Sequence, residues 1–586
     1  MNVRATISTA KLWFLEKLCG IGRFRLSSVL IAVLAASAFG EDLEIVRCEP
    51  GVRGGKLVAA QKSEAKSLNP VTALDTPSRE VIRRTMADLI SIDRISHNTV
   101  PSLAKSWTAS KDGSKYTLAL RRGLRFSDGH PFDADDVLFT FQAYLDEKVH
   151  SPQRDLLIIN GRPIEVRKLD AYTVEFDLHS PYAAAERIFD SLAILPRHLL
   201  EKSWREGKLQ EAWTLRTPAN QFAGLGPFRV KEVRPGERII LERNPYYWRT
   251  DSKGTRLPYY DELHFVPAAG DDAQLMRFAG GETDILNRFS PRNGSMNILR
   301  DKPLHTVDLG PSLEYNFLFF NLNPAGEHYR WFGDVRFRQA ISLAIDRKLM
   351  VAITHENYAA PLWGNVSPGN KQWVNTRLPH PEKNPARARE LLTQAGFRWT
   401  ADGKLADQQG KPVEFSIAAS TSSRERVMMA VMIQEDLKQL GIPVQVAELE
   451  FRSLVDRVTN TRKYDACILG LGNGDADPNA EMNVWLSTGP THLWNPEQKT
   501  PATPWEAEID RLMKLQLTTM DRTRRKALYD RVQQIVAEQL PIIPLTSPNV
   551  FVAVRDHVGN FRPSVLDHYT LWNVEQLFDR RLSSRR

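Results

Sequence analysis

Cysteine is nearly missing from this chain: three residues in 586, at positions 19, 48 and 467. A disulfide-framed scaffold is therefore excluded, and a chain of this length can bury enough core without covalent staples. Cys467 lies in the apolar run Ala466-Cys467-Ile468-Leu469 and reads as a small buried hydrophobe. Long apolar runs are equally scarce. Only residues 26–39 approach membrane length, and crossing the hydrocarbon takes about 20 apolar residues, so a multi-span membrane protein is excluded. Charge of one sign is in small excess, formally +8. Residues 1–40 hold Arg4, Lys11, Lys17, Arg23 and Arg25 against Glu16, so half of that excess lies there. The remainder is too dispersed for a nucleic-acid partner. The 13 histidines form no tight cluster, and His355-Glu356 lacks a second histidine four residues on, where Ala359 stands. There is no Gly-x-Ser-x-Gly elbow, no paired-histidine zinc motif and no Gly-Lys-Ser/Thr phosphate loop. No cofactor, metal or catalytic residue is expected, and an exported hydrolase remains only the minor alternative.

What is present begins with an address. Arg23 and Arg25 precede an apolar segment, 26–36, which ends in the small-residue site Ala36-Ser37-Ala38 before Glu41 and Asp42. This is the pattern of an export signal covering 1–40 and cleaved near Ala38 or Gly40, which places the mature chain in the periplasm. The competing reading is an uncleaved anchor. Neither Cys19 nor Cys48 follows the small-residue run, so no lipid-modified cysteine is expected. Beyond the signal, 42% hydrophobic and 25% charged residues are ordinary globular values. The length suggests about four domains or lobes.

Element signals are mixed α and β. Residues 116–120 and 172–178 alternate as strands. Asp133 is placed to cap a helix with Asp135 and Asp136 in its first turn and Val137, Phe141, Tyr144 and Leu145 as its apolar stripe. Asp334, Asn384-Pro385 and about Ser423 start three more helices, the last stopping at Gly441 just before a strand at 442–446. Helix, glycine stop, then strand is the grammar of an α/β lobe.

From 101 to 141 the chain becomes recognisable. Pro101-Ser102-Leu103-Ala104-Lys105-Ser106-Trp107 is followed by Asp112-Gly113, Leu120-Arg121-Arg122-Gly123-Leu124-Arg125-Phe126-Ser127-Asp128-Gly129-His130-Pro131-Phe132 and Asp135-Asp136-Val137. Later blocks are Ile194-Leu195-Pro196, Gly224-Leu225-Gly226-Pro227-Phe228, Asn244-Pro245-Tyr246-Tyr247-Trp248 and Val335-Arg336-Phe337-Arg338-Gln339-Ala340-Ile341. Together these resemble the family 5 extracellular solute-binding proteins, receptors of ABC importers for peptides, nickel and oligosaccharides. The resemblance spans nearly the whole mature chain. It implies an α/β, two-lobe periplasmic-binding-protein architecture with two crossover hinge strands and an extra subdomain inserted in the first lobe. The expected layout is lobe 1 from 41–90, 191–312 and 541–586, the insertion at 91–190, and lobe 2 at 313–540. Hinges are expected at 313–320 and 541–545. Asp128 and His130 of the signature read as scaffold around a tight turn.

The resemblance also implies the function: capture of a peptide-like solute by hinge closure, then delivery to the membrane permease subunits of an ABC importer by a monomeric receptor. Oligosaccharide or a metal chelate are the alternative cargoes, and a sensing role would use the same fold. In peptide-binding members an acidic residue before a late Asp-Pro anchors the ligand's α-amino group; here Asp475 before Asp477-Pro478 is the candidate, beside Asn473. The family's anchor position is occupied by Gly474, one residue earlier, so Asp475 is either a shifted anchor or a turn residue. Asn69 in Ser67-Leu68-Asn69-Pro70, Tyr315 and Asn316 at the expected hinge, and Trp363 and Trp485 as stacking surfaces complete the candidates.

Overall fold

The computed structural model describes residues 40–583 apart from 292–293, 473–474 and 567–568. The proposed signal segment and Asn473 lie outside the described residues. Strand β1 (Lys56–Gln61) runs into a loop whose return is helix α1 (Thr76–Thr85). Asp75 caps that helix by accepting from Ser78 N at 2.9 Å, and Pro77 sits in its first turn, where a missing N–H loses nothing.

An antiparallel four-stranded sheet follows, built from β2 (Ala104–Ala109), β3 (Lys115–Leu120), β4 (Glu165–Asp170) and β5 (Thr173–Asp177) in the order β2-β3-β5-β4. Helix α2 (Ala134–Leu145) packs on it. Asp133 and Asp136 form the reciprocal capping box at its start, and Val137, Phe141 and Tyr144 are buried while Leu145 is half-buried. A short helix, α3 (Ala185–Phe189), closes this subdomain. The signature turn is scaffold: Gly129 takes φ +93°, and Asp128 meets His198 Nε2 at 2.7 Å.

The chain then returns to the first lobe as β6 (Phe228–Arg234), β7 (Arg238–Arg243), β8 (Glu262–Pro267) and β9 (Ile285–Phe289). These join β1 in the order β6-β7-β8-β1-β9, with β1 parallel to both of its neighbours. Gly226 packs on the end of α1, and a Cβ there would lie 2.5 Å from the Thr85 carbonyl carbon. That close approach explains the glycines of the 224–228 block.

Strand β10 (Leu304–Pro311) leads out of this lobe, and β11 (Tyr315–Phe320), buried at every residue, opens the second. Helices α4 (Val335–Ala344), α5 (Pro385–Gln394) and α6 (Arg424–Lys438) begin at Asp334, Asn384 and Ser423, each cap accepting a backbone N–H, as the sequence predicts. Strands β12 (Phe415–Ser420), β13 (Val444–Leu449) and β14 (Ala466–Leu471) give the order β11-β14-β12-β13, with β12 parallel to both neighbours. Cys467 is buried in β14 and free, as is half-buried Cys48. Two helices, α7 (Pro504–Thr518) and α8 (Arg522–Gln539), pack together before the last long strand, β15 (Ile542–Arg555).

β15 ties the two sheets together. Its first half pairs with β11 and its second half with β10 and β9. The lobes are thus joined at two places, 311–315 and about 547–549. The first lies at the front edge of the expected segment 313–320, and the second lies just past 541–545. Apolar runs mark the strands themselves; the crossings are short polar steps at strand ends. Ser547 Oγ lies 2.7 Å from Glu314 O and 2.9 Å from Ser367 Oγ, tying the two crossings. Separate buried cores fill the two lobes, and the inserted sheet shares the core of the first. Among the described residues no helix is long and apolar enough to cross a membrane.

Candidate functional site

In open α/β sheets the carboxyl ends of parallel strands end in loops and helix N-termini, which leaves polar backbone for a ligand. Here the carboxyl ends of β1 and β9 in one lobe face the carboxyl end of β14 in the other. Between them lies a cavity of about 710 Å³. The first lobe lines it with Gln61, α1 residues Arg79, Glu80 and Arg83, and Asn287 and Arg288 of β9. The second lobe contributes Asp475, which follows β14.

The wall is a connected polar network. Glu80, buried, accepts from Gln61 Nε2 and Asn287 Nδ2, both at 3.2 Å, and Asn287 Oδ1 accepts from Thr570 Oγ1 at 2.6 Å. Arg288 donates to Glu314 Oε2 and, at 3.2 Å, to Tyr569 Oη, its guanidinium 5.6 Å from the Tyr569 ring centre. Glu314 sits at the crossing between the lobes, so Arg288 links the cavity wall to the hinge. Lys62, Arg79, Arg83, Arg94 and Arg288 outnumber Glu80, Asp190 and Asp475, giving the cavity a basic lining.

Asp475 is already engaged. Its Oδ1 lies 3.1 Å from Nη1 of Arg187 on α3, a contact between the two sides of the cleft, and it also accepts from Asp477 N at 3.3 Å. Burial pushes the Asp475 carboxyl up, against the pull of Arg187. A second bond crosses nearby, from Asn479 Nδ2 to Tyr182 Oη at 2.7 Å. Asp477 instead serves the scaffold. It caps the turn at Pro478 and takes a bidentate pair from buried Arg525 at 2.6 and 2.7 Å.

The other predicted residues are not gathered at the cavity. Asn69 is 1% exposed, and its amide is used up on Leu209 O, Ala212 O and Val71 N. Asn316 binds Thr546 Oγ1 and Arg426 Nε beside the crossing, while Tyr315 is buried in the second core. Trp485 is 1% exposed and donates to Glu481 Oε2. Half-buried Trp363 stacks on His380 at 4.4 Å, away from the cavity lining. Sequence reading missed Arg187, Glu80, Asn287 and Arg288, because no local pattern marks a charge whose partner is supplied by a distant element. Helical spacing of Arg79, Glu80 and Arg83 was the one available signal. Among the described residues no group of three or more His, Cys, Asp or Glu is placed to hold a metal ion.

Comparison with known proteins agrees with this architecture. The family described as bacterial extracellular solute-binding proteins, family 5 Middle, matches residues 98–492. A probable ABC transporter-binding protein of Deinococcus radiodurans is 28% identical over 87% of this chain and 90% of its own length. Di/tripeptide-binding protein 1 of Pseudomonas aeruginosa is 24% identical over 92% of this chain and 97% of its own. Among solved structures, the oligopeptide-binding protein AppA of Bacillus subtilis, in complex with a nonapeptide, superposes with a TM-score of 0.66 at 24% identity, covering 90% of this chain and all of that one. Two α/β sheets joined by two crossings around a basic cavity, together with the match across most of the chain, lead to one conclusion: the chain belongs to the family 5 bacterial extracellular solute-binding proteins.

Proposed function

We propose that this chain is the exported substrate-binding component of an ABC importer, which captures a peptide-like solute between its lobes and hands it to the membrane permease. The observation that carries the reading is the 710 Å³ cavity enclosed where the carboxyl ends of both lobes' parallel strands meet. Two lobes whose chain crosses at two short places can rotate about them, and a ligand that touches both favours the closed arrangement. The curated relatives named for di- and tripeptides favour peptide over sugar or chelate. The protein performs no chemistry in this reading, and ATP hydrolysis belongs to the transporter.

Asp475 is proposed as the second lobe's anchor for the ligand's α-amino group. An incoming ammonium would take the place of Arg187 beside the carboxylate, replacing an ion pair with a charge-assisted hydrogen bond. Residues 1–40 are proposed as a signal that directs export and is removed by cleavage near Ala38 or Gly40, leaving a monomeric periplasmic protein. Mass spectrometry of the exported protein reads this directly, since cleavage places its N-terminus just after Ala38 or Gly40.

A thermal-shift screen of the ligand-stripped protein tests the reading. The panel is di- to pentapeptides, with oligosaccharides and nickel–histidine as comparison sets. A peptide at 100 times its dissociation constant should add about 2.7 kcal/mol of stability. The same peptide should shrink the radius of gyration in solution scattering. N-acetylated versions should lose the effect if Asp475 is the anchor. Response to sugars or chelates alone would overturn the peptide assignment.

A further inference from the structure

The first lobe holds a second chamber, of about 400 Å³, directly behind the cleft. Arg79, Arg83, Ile92, Arg94 and Ser191 line both spaces, so the two share a wall. Arg84, near the end of α1, lines the inner chamber alone. It is 4% exposed, yet its Nε and Nη2 have no hydrogen-bond partner among the described residues. Other arginines buried as deeply are provided for. Arg347 gives its donors to Pro544 O, Ser342 O and Ser342 Oγ, and Arg525 holds Asp477. A buried guanidinium with two N–H groups left without an acceptor carries a desolvation penalty that natural structures seldom leave standing without a function.

The obvious structural explanation falls short. A cation in the last turn of α1 suits the helix dipole, but the dipole gives Nε–H and Nη2–H no acceptor. Burial lowers the Arg84 pKa to about 10, so the group remains cationic at neutral pH. Glu80 and Glu575 act on Arg84 through their charge alone, opposed by Arg83 and Arg94, and neither accepts from its Nε or Nη2. Nε and Nη2 also lie along one edge of the guanidinium, the edge that takes two parallel hydrogen bonds from an oxyanion.

We propose that this chamber receives an oxyanion, a carboxylate or a phosphate, carried by the solute held in the adjoining cleft, with Arg84 as its bidentate partner. The proposal rests on the capture reading above and narrows it: the preferred cargo has a negatively charged end that reaches into the first lobe, away from Asp475.

The test is calorimetric titration of the exported, ligand-stripped protein with peptide amides matched in size, Ala-Ala-Glu-amide against Ala-Ala-Gln-amide. A phosphoserine–serine pair and inorganic phosphate alone complete the set. The acidic member should bind at least tenfold more tightly to the wild type, and that preference should vanish in Arg84→Gln. Arg84→Lys, which keeps the charge but loses the fork, should retain only part of it, and this arm decides the matter if Arg84→Gln folds poorly. Without ligand, Arg84→Gln should melt no lower than the wild type, because it removes a buried charge whose Nε–H and Nη2–H lack an acceptor. Equal affinity for acidic and neutral members, or a preference that survives Arg84→Gln, overturns the proposal while leaving peptide capture intact. If no peptide binds but phosphate stabilises the wild type and not Arg84→Gln, the chamber stands as a site for the free anion and the peptide reading fails. Failure of every probe overturns both.

Discussion

Asp88 and Asp136 are carboxyls that burial makes reluctant to ionise, each pushed up to about 7. A carboxyl whose pKa is higher folded than unfolded binds more protons in the native state between about pH 4 and 7. Stability therefore falls as pH rises through that window, and the loss is complete above the folded pKa. The melting temperature should drop from pH 5 to pH 8, and Asp88→Asn or Asp136→Asn should each flatten the profile; a rise over that interval would contradict the assignment. The same residues mark what could be read in advance. Asp136 was legible as a helix-start residue, because capping is local and the side chain reaches only its own first turn. Its burial was not, since Arg197 N, which donates to Asp136 Oδ1 at 3.0 Å, comes from another element. Asn69 shows the converse: its place in a family-like segment pointed to ligand, whereas its amide is spent on the 209–212 backbone.

Helices with caps and strands with alternating faces were legible because their signals repeat every few residues. The strand expected at 442–446 shows where this runs out, since the observed strand is Val444–Leu449 and Pro443 delays its entry. Gly226 is the sharpest element-level prediction. Its N–H donates to Thr85 O at 3.0 Å, and a Cβ would meet Thr85 backbone at 2.5 Å. Gly226→Ala should cost about 1–3 kcal/mol, since backbone on both sides must move apart. Urea unfolding measures this, and an unchanged midpoint would mean that the strand and α1 can separate without loss. Because α1 supplies Arg79, Glu80, Arg83 and Arg84, the same variant should weaken ligand binding without touching a ligand-facing side chain.

At the scale of the whole molecule, the pair Arg187–Asp475 helps hold the two sides of the cleft together in the absence of ligand, beside the bonds Asn479–Tyr182 and Ala183 N–Leu517 O. Both side chains are partly exposed, 16% and 28%, so solvent screening limits the pair to about 1 kcal/mol. A double-mutant cycle of Arg187→Gln with Asp475→Asn should give a coupling of that size. Each single variant should also enlarge the ligand-free radius of gyration, whereas a coupling near zero would make the contact incidental. The sequence by itself determined the α/β character, the helix starts and the turn at 126–132, because each rests on short-range periodicity, capping or turn chemistry, while the two-lobe architecture came from its resemblance to a known family. It placed the crossings between the lobes only to within a few residues, and it could not say that Asp475 would face Arg187 or that Arg84 would be left without an acceptor. Those depend on which distant segments share a wall. Only tertiary packing decides that, because burial and electrostatic pairing are properties of the surroundings and not of the residue.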